Sequence, residues 1–330
     1  MKAAYIRETG RPEVIQYDDV PTPEPAGSEV RVKVGAVSVN PIDTYIRSGM
    51  VAFDLPKPFV IGSDVAGVVD AVGPDTTKHK VGDRVWGSNQ GVLGRQGTFS
   101  EYVVCDEGWL YPTPDGVDDR TAAALALVGI TSHLGLVPVA NLQQGESIFI
   151  HGGSGGVGST VVQMAKALGA RVITTGSTDE KVEIAKSLGA DVAFNYKKEN
   201  VAAAIKKSCP EGVNVYWELL REQDLDHIVD CVSARGRIVL MAGRGSRPEL
   251  PVGAFYVKGC TMHGFAMFNF NQEEQAKSAH DMNRWLKEGK LKAQIDRVLP
   301  ISESATAHRL QEESTVEGSS SLSGKLVLEP

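Results

Sequence analysis

The sequence predicts an α/β protein in which a doubly wound parallel sheet follows a separate β-rich domain. The chain has 330 residues, too many for one ordinary hydrophobic core and enough for two domains. From Ser147 onward, segments with strand and helix patterns alternate, and a glycine-rich turn at 152–158 separates the first strand of this series from its first helix. Such alternation is typical of parallel sheets, because each crossover between parallel strands needs a long connection, usually a helix.

The part of the chain before about residue 120 has the pattern of short strands. Residues 29–34 alternate apolar and polar side chains, as a half-buried strand does. Pro21, Pro23 and Pro25 interrupt regular structure before this segment. Short strands separated by turn signals predict a barrel-like β domain. Further strands are expected at 60–61, 64–69, 81–85 and 99–104.

The second part of the chain begins with a predicted helix at 121–127, which is rich in alanine and leucine. Two later helices are expected to end at Gly169 and Gly189, since glycine is common just after a helix C-terminus. The second of these helices covers 180–188. The predicted strands are 147–151, 171–175, 192–195, 213–217, 237–241 and 261–265.

Composition narrows the class of protein. The formal charge of −7 argues against a nucleic-acid partner, because such proteins usually carry a basic patch. The longest apolar runs, such as 122–130, fall short of the ~20 residues that span a bilayer, and the N-terminus lacks the apolar core of a signal peptide. The four cysteines lie far apart, which is typical of the reduced thiols of a cytoplasmic protein. A serine patch at 319–321 is expected in a surface loop.

The glycine-rich turn is the strongest local motif. It contains the pattern G-x-G-x-x-G at Gly153, Gly155 and Gly158, after a strand and before a helix. In this context the first glycine allows a tight turn, the second lets the backbone approach a pyrophosphate, and the third lets the helix pack on the strand. The alternative is a flexible turn without a ligand. The expected cofactor-binding residues of the turn are Gly153, Ser154, Gly155, Gly156, Val157 and Gly158.

The end of the second strand favours NADPH over NADH. Gly176 and Ser177 stand where an NAD enzyme usually has an acidic residue that binds the ribose hydroxyl. Asp179 and Glu180 follow, and they are interpreted as helix-capping residues, with Ser177 and Glu180 forming a capping box. Lys181 is a candidate partner of the 2′-phosphate, and the alternative is a solvated surface lysine.

Segments spread over nearly the whole chain match one known family in order. They are 39–49 (VNPIDTYIRSG), 62–69 (GSDVAGVV), 71–73 (AVG), 81–85 (VGDRV), 154–158 (SGGVG) and 324–328 (GKLVL). On these segments the chain resembles the zeta-crystallin-like quinone oxidoreductases, zinc-independent members of the medium-chain dehydrogenase/reductase superfamily. The resemblance implies a GroES-like β-barrel domain at 1–122 with a return segment at 300–330, and a Rossmann domain at 123–299.

The resemblance also implies an activity, which is hydride transfer from NADPH to a quinone by a homodimer. One alternative is reduction of the carbon–carbon double bond of an enone or alkenal, since both reactions place a hydride on a carbon conjugated to a carbonyl group. A second alternative is a dinucleotide-binding protein with a structural or RNA-binding role.

The candidate catalytic residues come from the same resemblance. Asn40 and Tyr45 would border the nicotinamide, with Tyr45 the best candidate for a polar contact to the substrate, and Thr131 would contact the nicotinamide side. The alternatives are a turn-forming asparagine, a packed core tyrosine and a helix-interior threonine. Asp43 and Asp64 are expected to be structural.

Other expected cofactor contacts lie further along the chain. Tyr196 would flank the 2′-phosphate of the adenosine half. Backbone groups near Ala242, Gly243, Arg244, Phe265 and Met267 would contact the ribose and the carboxamide. Segments 215–221 and 264–270 depart from the family pattern, the first by its bulk and polarity and the second by its aromatic content.

No catalytic zinc is predicted. Zinc-dependent members of the superfamily carry a cysteine near the position of Asn40 and a histidine at the position of Ser63, and neither residue is present here. The cysteines of a structural zinc lobe, expected around 85–100, are also missing. The expected reaction therefore proceeds by direct hydride transfer without metal.

Overall fold

The computed structural model describes residues 1–316, 318–319 and 322–330. It divides into two compact units, the first formed by Met1–Ile130 with Phe270–Pro330 and the second by Thr131–Asn269. Of the predicted serine loop, Ser320 and Ser321 lie outside the described residues.

The elements are numbered in chain order. The strands are β1 (Lys2–Ile6), β2 (Gln16–Asp19), β3 (Glu29–Ser38), β4 (Phe59–Val60), β5 (Val65–Val72), β6 (Arg84–Gly87), β7 (Tyr102–Asp106), β8 (Leu110–Pro112), β9 (Ser147–Ile150), β10 (Arg171–Gly176), β11 (Val192–Asn195), β12 (Val213–Glu218), β13 (Val232–Leu240), β14 (Thr261–Gly264), β15 (Ile295–Pro300) and β16 (Lys325–Glu329). The helices are α1 (Pro41–Ser48), α2 (Asp119–Leu134), α3 (Gly156–Ala167), α4 (Asp179–Ser187), α5 (Val201–Ser208), α6 (Leu225–Cys231), α7 (Val252–Val257), α8 (Gln272–Lys287) and α9 (Ser304–Thr315).

The first unit is built on a mixed seven-stranded sheet in the order β15-β16-β3-β5-β6-β8, with β7 paired to β3. A smaller sheet has the order β2-β1-β4. Val30, Val32 and Val34 of β3 are buried, in the alternation that the sequence predicts for this segment. The predicted β-rich first domain is therefore confirmed.

The second unit is a six-stranded sheet in the order β11-β10-β9-β12-β13-β14, and every neighbouring pair is parallel. This is the doubly wound order, in which the direction of winding reverses between β9 and β12. Its core contains Phe149, Ile173, Val213 and Ile238, all buried. The predicted parallel sheet is confirmed, and ligands of such sheets bind at the carboxyl ends of the strands near the reversal.

The unit boundaries differ from those that the sequence predicts at two places, because residues 123–130 and residues 270–299 group with the first unit. Side chains of α8 explain the second difference. Trp86 Nε1 donates to Asn283 Oδ1 at 3.0 Å, and Gln272 Nε2 donates to Asp106 Oδ1 at 2.7 Å. Strand β15 is also paired with β16. Such long-range contacts are invisible in a local sequence pattern.

Helix α2 is longer than the predicted segment 121–127. Within the described part of the chain, the helical stretch Asp119–Val139 is long and apolar enough to span a membrane, with a mean hydropathy of 1.8 over 18 of its residues. Core helices of folded proteins are equally long and apolar, and 78% of those 18 residues are buried inside the protein. The apolar run 122–130 is shorter than this helical stretch because polar residues such as Thr131, Ser132 and His133 follow the run within the helix.

Candidate cofactor site

The glycine-rich turn between β9 and α3 admits no side chain at two of its three motif glycines. A Cβ on Gly153 would lie 2.3 Å from Thr174 Oγ1, and a Cβ on Gly158 would lie 2.0 Å from the carbonyl oxygen of Gly152. Gly155 differs, because the nearest atom to its Cβ would be 3.6 Å away, at an ordinary contact distance. Packing therefore does not require glycine there, and the lack of a side chain lets a ligand approach the backbone.

The first turn of α3, which follows Gly155, presents backbone donors. Gly155 is the N-cap, and Gly156, Val157 and Gly158 form the first turn. The N–H groups of a first turn have no acceptor within their own helix, and the helix dipole adds positive potential. Ser154, just before the cap, is buried. This arrangement fits a pyrophosphate.

Backbone hydrogen bonds join the turn to the ends of the neighbouring strands. The N–H of Gly153 donates to the carbonyl of Thr175 at 3.0 Å, and the N–H of Tyr196 donates to the carbonyl of Gly176 at 3.2 Å. A Cβ on Gly176 would lie 2.9 Å from the backbone nitrogen of Val182. The structure thus brings the turn together with the predicted residues that follow β10 and β11.

The predicted capping box is wrong by one residue. The N-cap of α4 is Thr178, whose Oγ1 accepts from the N–H of Lys181 at 3.2 Å. Helix α4 therefore begins one residue later than the box requires, and Glu180 stands at the second helical position, not the third, counted from the cap. Asp179 and Glu180 do lie in the first turn. Ser177 is left outside the helix, at the end of β10.

The carboxylate of Asp179 accepts hydrogen bonds from two neighbouring side chains. It accepts from Asn195 Nδ2 at 2.9 Å and from Lys198 Nζ at 2.6 Å. The hydrogen bond from Lys198 is the main cause of the lowered pKa of Asp179. Lys198 therefore compensates the negative charge of Asp179, which stands two residues after Ser177.

The residues after β13 form a tight turn. Gly243 has φ +77°, in the left-handed region, and a Cβ there would lie 2.2 Å from the carbonyl oxygen of Arg221. Gln223 Nε2 donates to the carbonyl of Ala242 at 3.1 Å, and Arg244 is exposed. The predicted segment is thus held by the loop that follows β12.

Phe265 and Met267 follow the neighbouring strand β14. The ring of Phe265 meets the ring of Trp217 edge-on, with centroids 6.4 Å apart, and Met267 is buried. These residues lie beyond the carboxyl end of β14.

Thr131 is buried in the last part of α2. The next residue, Ser132, has its Oγ 2.6 Å from Thr160 Oγ1 of α3. This contact fixes the turn of α2 that carries Thr131 against the helix that follows the glycine-rich turn.

A cavity of about 370 Å³ lies beside the glycine-rich turn in the second unit. Sequence reasoning missed it as a site. The sequence showed that segment 215–221 is unusually polar, and the signal that points to a site is Glu218 at the end of a buried strand. We call this cavity the polar cavity. Its lining includes His151, Tyr196, Tyr216, Glu218, Asp224 and His227.

In the first unit, Asn40 is fully buried, and both the nitrogen and the oxygen of its side-chain amide are hydrogen-bonded. Its Nδ2 donates to Asp64 Oδ2 at 2.7 Å, and its Oδ1 accepts from Lys325 Nζ. Lys325 Nζ also donates to the carbonyl of Val39 at 2.7 Å. Asn40 is therefore held rigidly just before α1.

Two buried carboxylates complete this arrangement. Asp43 accepts from Ser63 Oγ at 2.7 Å and from the N–H of Asn40 at 2.8 Å. Burial raises the pKa of Asp43 to about 7. Burial also raises the pKa of Asp64 and lowers that of Lys325, and the attraction between the two opposes both shifts. We call Asn40, Asp43, Ser63, Asp64 and Lys325 the buried polar cluster.

Tyr45 lies in α1 and is partly exposed. Its carbonyl accepts from the N–H of Val51 at 3.0 Å and from Ser48 Oγ at 3.1 Å. The backbone around this tyrosine is therefore fixed by the turn that ends α1.

Comparison with known proteins gives matches along the whole chain. Residues 26–115 match the family model of the alcohol dehydrogenase GroES-like domain, and residues 156–282 match that of the zinc-binding dehydrogenases. The quinone oxidoreductase of Homo sapiens is 33% identical over 99% of this chain and 97% of its own. That of Pseudomonas aeruginosa is 36% identical over 91% of this chain and 92% of its own. A crystal structure of the Escherichia coli quinone oxidoreductase complexed with NADPH is 26% identical, with a TM-score of 0.87 and 100% coverage of both chains.

The name of the second family model implies zinc, and the donor groups here do not fit it. The Asn40 amide is bonded to Asp64 and Lys325, and the Ser63 hydroxyl is bonded to Asp43. Within the described ranges, no group of three or more His, Cys, Asp or Glu residues is arranged to hold a metal ion. Zinc needs three or four converging N, S or O ligands.

Proposed function

Because the chain belongs to the quinone oxidoreductases of the medium-chain dehydrogenase/reductase superfamily, we propose that it reduces quinones with NADPH. The observation that supports this most is the likeness to named quinone oxidoreductases over 99% of the chain. NADPH, when bound, supplies the hydride from its nicotinamide ring, and a proton from solvent completes the hydroquinone. The residues of the chain contribute binding and orientation.

The pyrophosphate is assigned to the glycine-rich turn. The open backbone at Gly155 and the N–H groups of Gly156, Val157 and Gly158 bind it. Gly153 and Gly158 are needed for packing, so alanine at either position displaces the backbone. The contrast between Gly155 and its neighbours supports ligand binding rather than a flexible turn.

The preference for NADPH over NADH is assigned to the groups at the ends of β10 and β11. Gly176 and Ser177 place no carboxylate there, and Lys181 and Tyr196 supply contacts for the 2′-phosphate. Lys181→Ala should raise the KM for NADPH about tenfold and leave that for NADH nearly unchanged, because one charge-assisted hydrogen bond is lost. Lys186→Ala, in the same helix and paired with Glu183, is the matched control. An unchanged ratio of the two KM values would remove Lys181 from the site.

The nicotinamide and the quinone are assigned contacts from Asn40, Tyr45 and Thr131, on the family resemblance. Ala242, Gly243, Arg244, Phe265 and Met267 are assigned to the ribose and carboxamide. Tyr45→Phe should lower kcat tenfold or less if one hydrogen bond is lost. A loss of about 10³-fold would instead indicate general-acid catalysis by Tyr45.

The decisive experiment is anaerobic single turnover with C4-deuterated NADPH. With 1,4-benzoquinone or 9,10-phenanthrenequinone we expect rapid oxidation of NADPH and a primary isotope effect. Rapid reduction of an enone panel without quinone turnover would assign the enone or alkenal activity instead. Binding of NADPH without oxidation by either panel would indicate a non-catalytic binding protein.

A homodimer is supported by the edge of the parallel sheet. Strand β14 ends the sheet order, and nearby α7 exposes Val252, Tyr256 and Val257 at 60%, 69% and 74%. Strand edges and exposed apolar faces are typical of association surfaces. Tyr256→Lys should shift the mass measured by light scattering to the monomer, and Tyr17→Lys, on an exposed tyrosine of the first unit, should not.

A cytoplasmic location is supported by the cysteines. All four, Cys105, Cys209, Cys231 and Cys260, are free thiols. Free thiols are typical of a reducing compartment.

A further inference from the structure

The polar cavity of the second unit is lined by buried polar groups that lack hydrogen-bond partners among the described residues. His151 and Tyr216 are buried, and the two ring nitrogens of His151 and the hydroxyl of Tyr216 have no hydrogen-bond partner within the described ranges. Buried polar groups are nearly always bonded, so each exception needs an explanation. A ligand that supplies the missing partners is one.

Glu218 adds an acceptor to the same cavity. Its Oε1 accepts from the N–H of Leu220 at 2.6 Å. Its Oε2 lies 3.6 Å from His151 Nδ1, beyond hydrogen-bond distance. One buried carboxylate oxygen is therefore directed at the unpartnered histidine, and it is able to accept from a further donor.

The position of the cavity restricts the ligand. His151 directly precedes Gly152 of the turn assigned to the pyrophosphate, and its ring lies 5.6 Å from the ring of Tyr196, which is assigned to the 2′-phosphate. The cavity also contains Asp224, so its carboxylates repel phosphate. The ribose and the base of the adenosine half remain. The ribose offers only hydroxyl groups, whereas the cavity combines the acceptor Glu218 with the rings of His151 and Tyr216, which fits a flat heteroaromatic base.

We propose that the polar cavity recognises the adenine base of NADPH through its 6-amino group, with Glu218 Oε2 as the acceptor. Tyr216 Oη and a ring nitrogen of His151 supply the complementary groups for the ring nitrogens. The inference rests on the proposed function and adds to it that the protein distinguishes adenine from other bases in the cofactor. Hypoxanthine, which has a carbonyl oxygen in place of the amino group, would place that oxygen against the carboxylate.

The test compares NADPH with reduced nicotinamide hypoxanthine dinucleotide phosphate. Dissociation constants measured by calorimetry should favour NADPH by roughly tenfold to a hundredfold in the wild-type protein, the range for a hydrogen bond to a charged group. Glu218→Gln should bring the ratio of the two constants close to one, because the new amide donates to the hypoxanthine oxygen. The matched control is Glu211→Gln, an exposed glutamate outside the cavity, which should keep the wild-type ratio.

Equal affinities in the wild-type protein would overturn the inference while leaving the proposed function intact. An unchanged ratio in a folded Glu218→Gln variant would do the same, and the wild-type ratio alone decides if that variant does not fold. Failure of NADPH to bind at all would overturn both the inference and the proposed function.

Discussion

The buried polar cluster of the first unit and the polar cavity of the second both remove charged side chains from water, with opposite outcomes. In the cluster, each carboxylate oxygen of Asp43 and Asp64 accepts at least one hydrogen bond. In the cavity, the polar atoms of His151 and Tyr216 have no hydrogen-bond partner in the described part of the chain, and the contact of His151 Nδ1 with Glu218 Oε2 is 3.6 Å long. The first arrangement is complete in the protein alone, and the second is completed by a ligand.

This difference separates the charged groups of the cluster, Asp43, Asp64 and Lys325, which stabilise the fold and hold Asn40, from the groups of the cavity, which bind a ligand. A bonded buried charge contributes little net stability, but removal of one partner is strongly destabilising. An unpartnered buried polar group lowers stability until a ligand supplies its partner. Substitutions in the cluster should therefore change the free energy of unfolding, and substitutions in the cavity should change affinity.

The largest expected effect is that of Lys325→Met. The substitution removes the ammonium that faces Asp64 and Asn40 and leaves buried carboxylates without their cation. We expect the free energy of unfolding to fall by up to about 5 kcal/mol, measured by urea denaturation. The control is Lys277→Met, which breaks the exposed pair with Glu273 and should cost less than about 1 kcal/mol. Equal losses in the two variants would contradict a stabilising role of the cluster.

The second prediction concerns pH. Burial raises the pKa of Asp43 from 3.8 to about 7, so the folded state binds a proton more tightly than the unfolded state. The stabilising contribution of this proton is complete below about pH 4 and is lost as pH rises to about 7. It amounts to about 4 kcal/mol, from 1.36 kcal/mol for each pKa unit. Asp43→Asn should therefore flatten the pH dependence of unfolding between pH 4 and 7, and a slope equal to that of the wild type would contradict the assignment.

The two regions also differ in how far the sequence predicts them. The parallel sheet follows from local periodicity, and the strand at 192–195 has the predicted bounds. The glycine-rich turn is also a local pattern, because its glycines all lie within the seven residues 152–158. The link between Asn40 and Lys325 joins residues 285 positions apart, and no local pattern contains it.

Errors arose where long-range packing or a single residue decides. The N-cap of α4 lies one residue later than the predicted capping box places it, because Thr178, and not Ser177, caps the helix. Residues 270–299, which the sequence assigns to the second domain, belong to the first unit because of contacts such as the hydrogen bond between Trp86 and Asn283. The polar cavity was missed because His151 directly follows β9, whereas Tyr216 and Glu218 lie in β12, and these strands meet only in the folded sheet.

The smallest expected effect is that of Tyr216→Phe, and it tests the cavity from the side of stability. The substitution removes only a buried hydroxyl without a partner among the described residues, and burial raises the pKa of Tyr216 above its ordinary value, so the group is a neutral phenol. The ligand-free variant should be as stable as the wild type or more stable by about 1 kcal/mol, because an uncompensated polar group is lost. Its melting temperature should rise less on addition of NADPH, because the hydroxyl is no longer available to hydrogen-bond the base and the stabilisation by a ligand depends on its affinity.

Tyr111→Phe is the matched control. The hydroxyl of Tyr111 is also buried and has no hydrogen-bond partner in the described part of the chain, but it lies in the first unit. Only the ligand-free stability of this variant should therefore change. A ligand-free Tyr216→Phe protein destabilised by more than 1 kcal/mol would show that the hydroxyl contributes to the fold, and the contrast between the two regions would then fail.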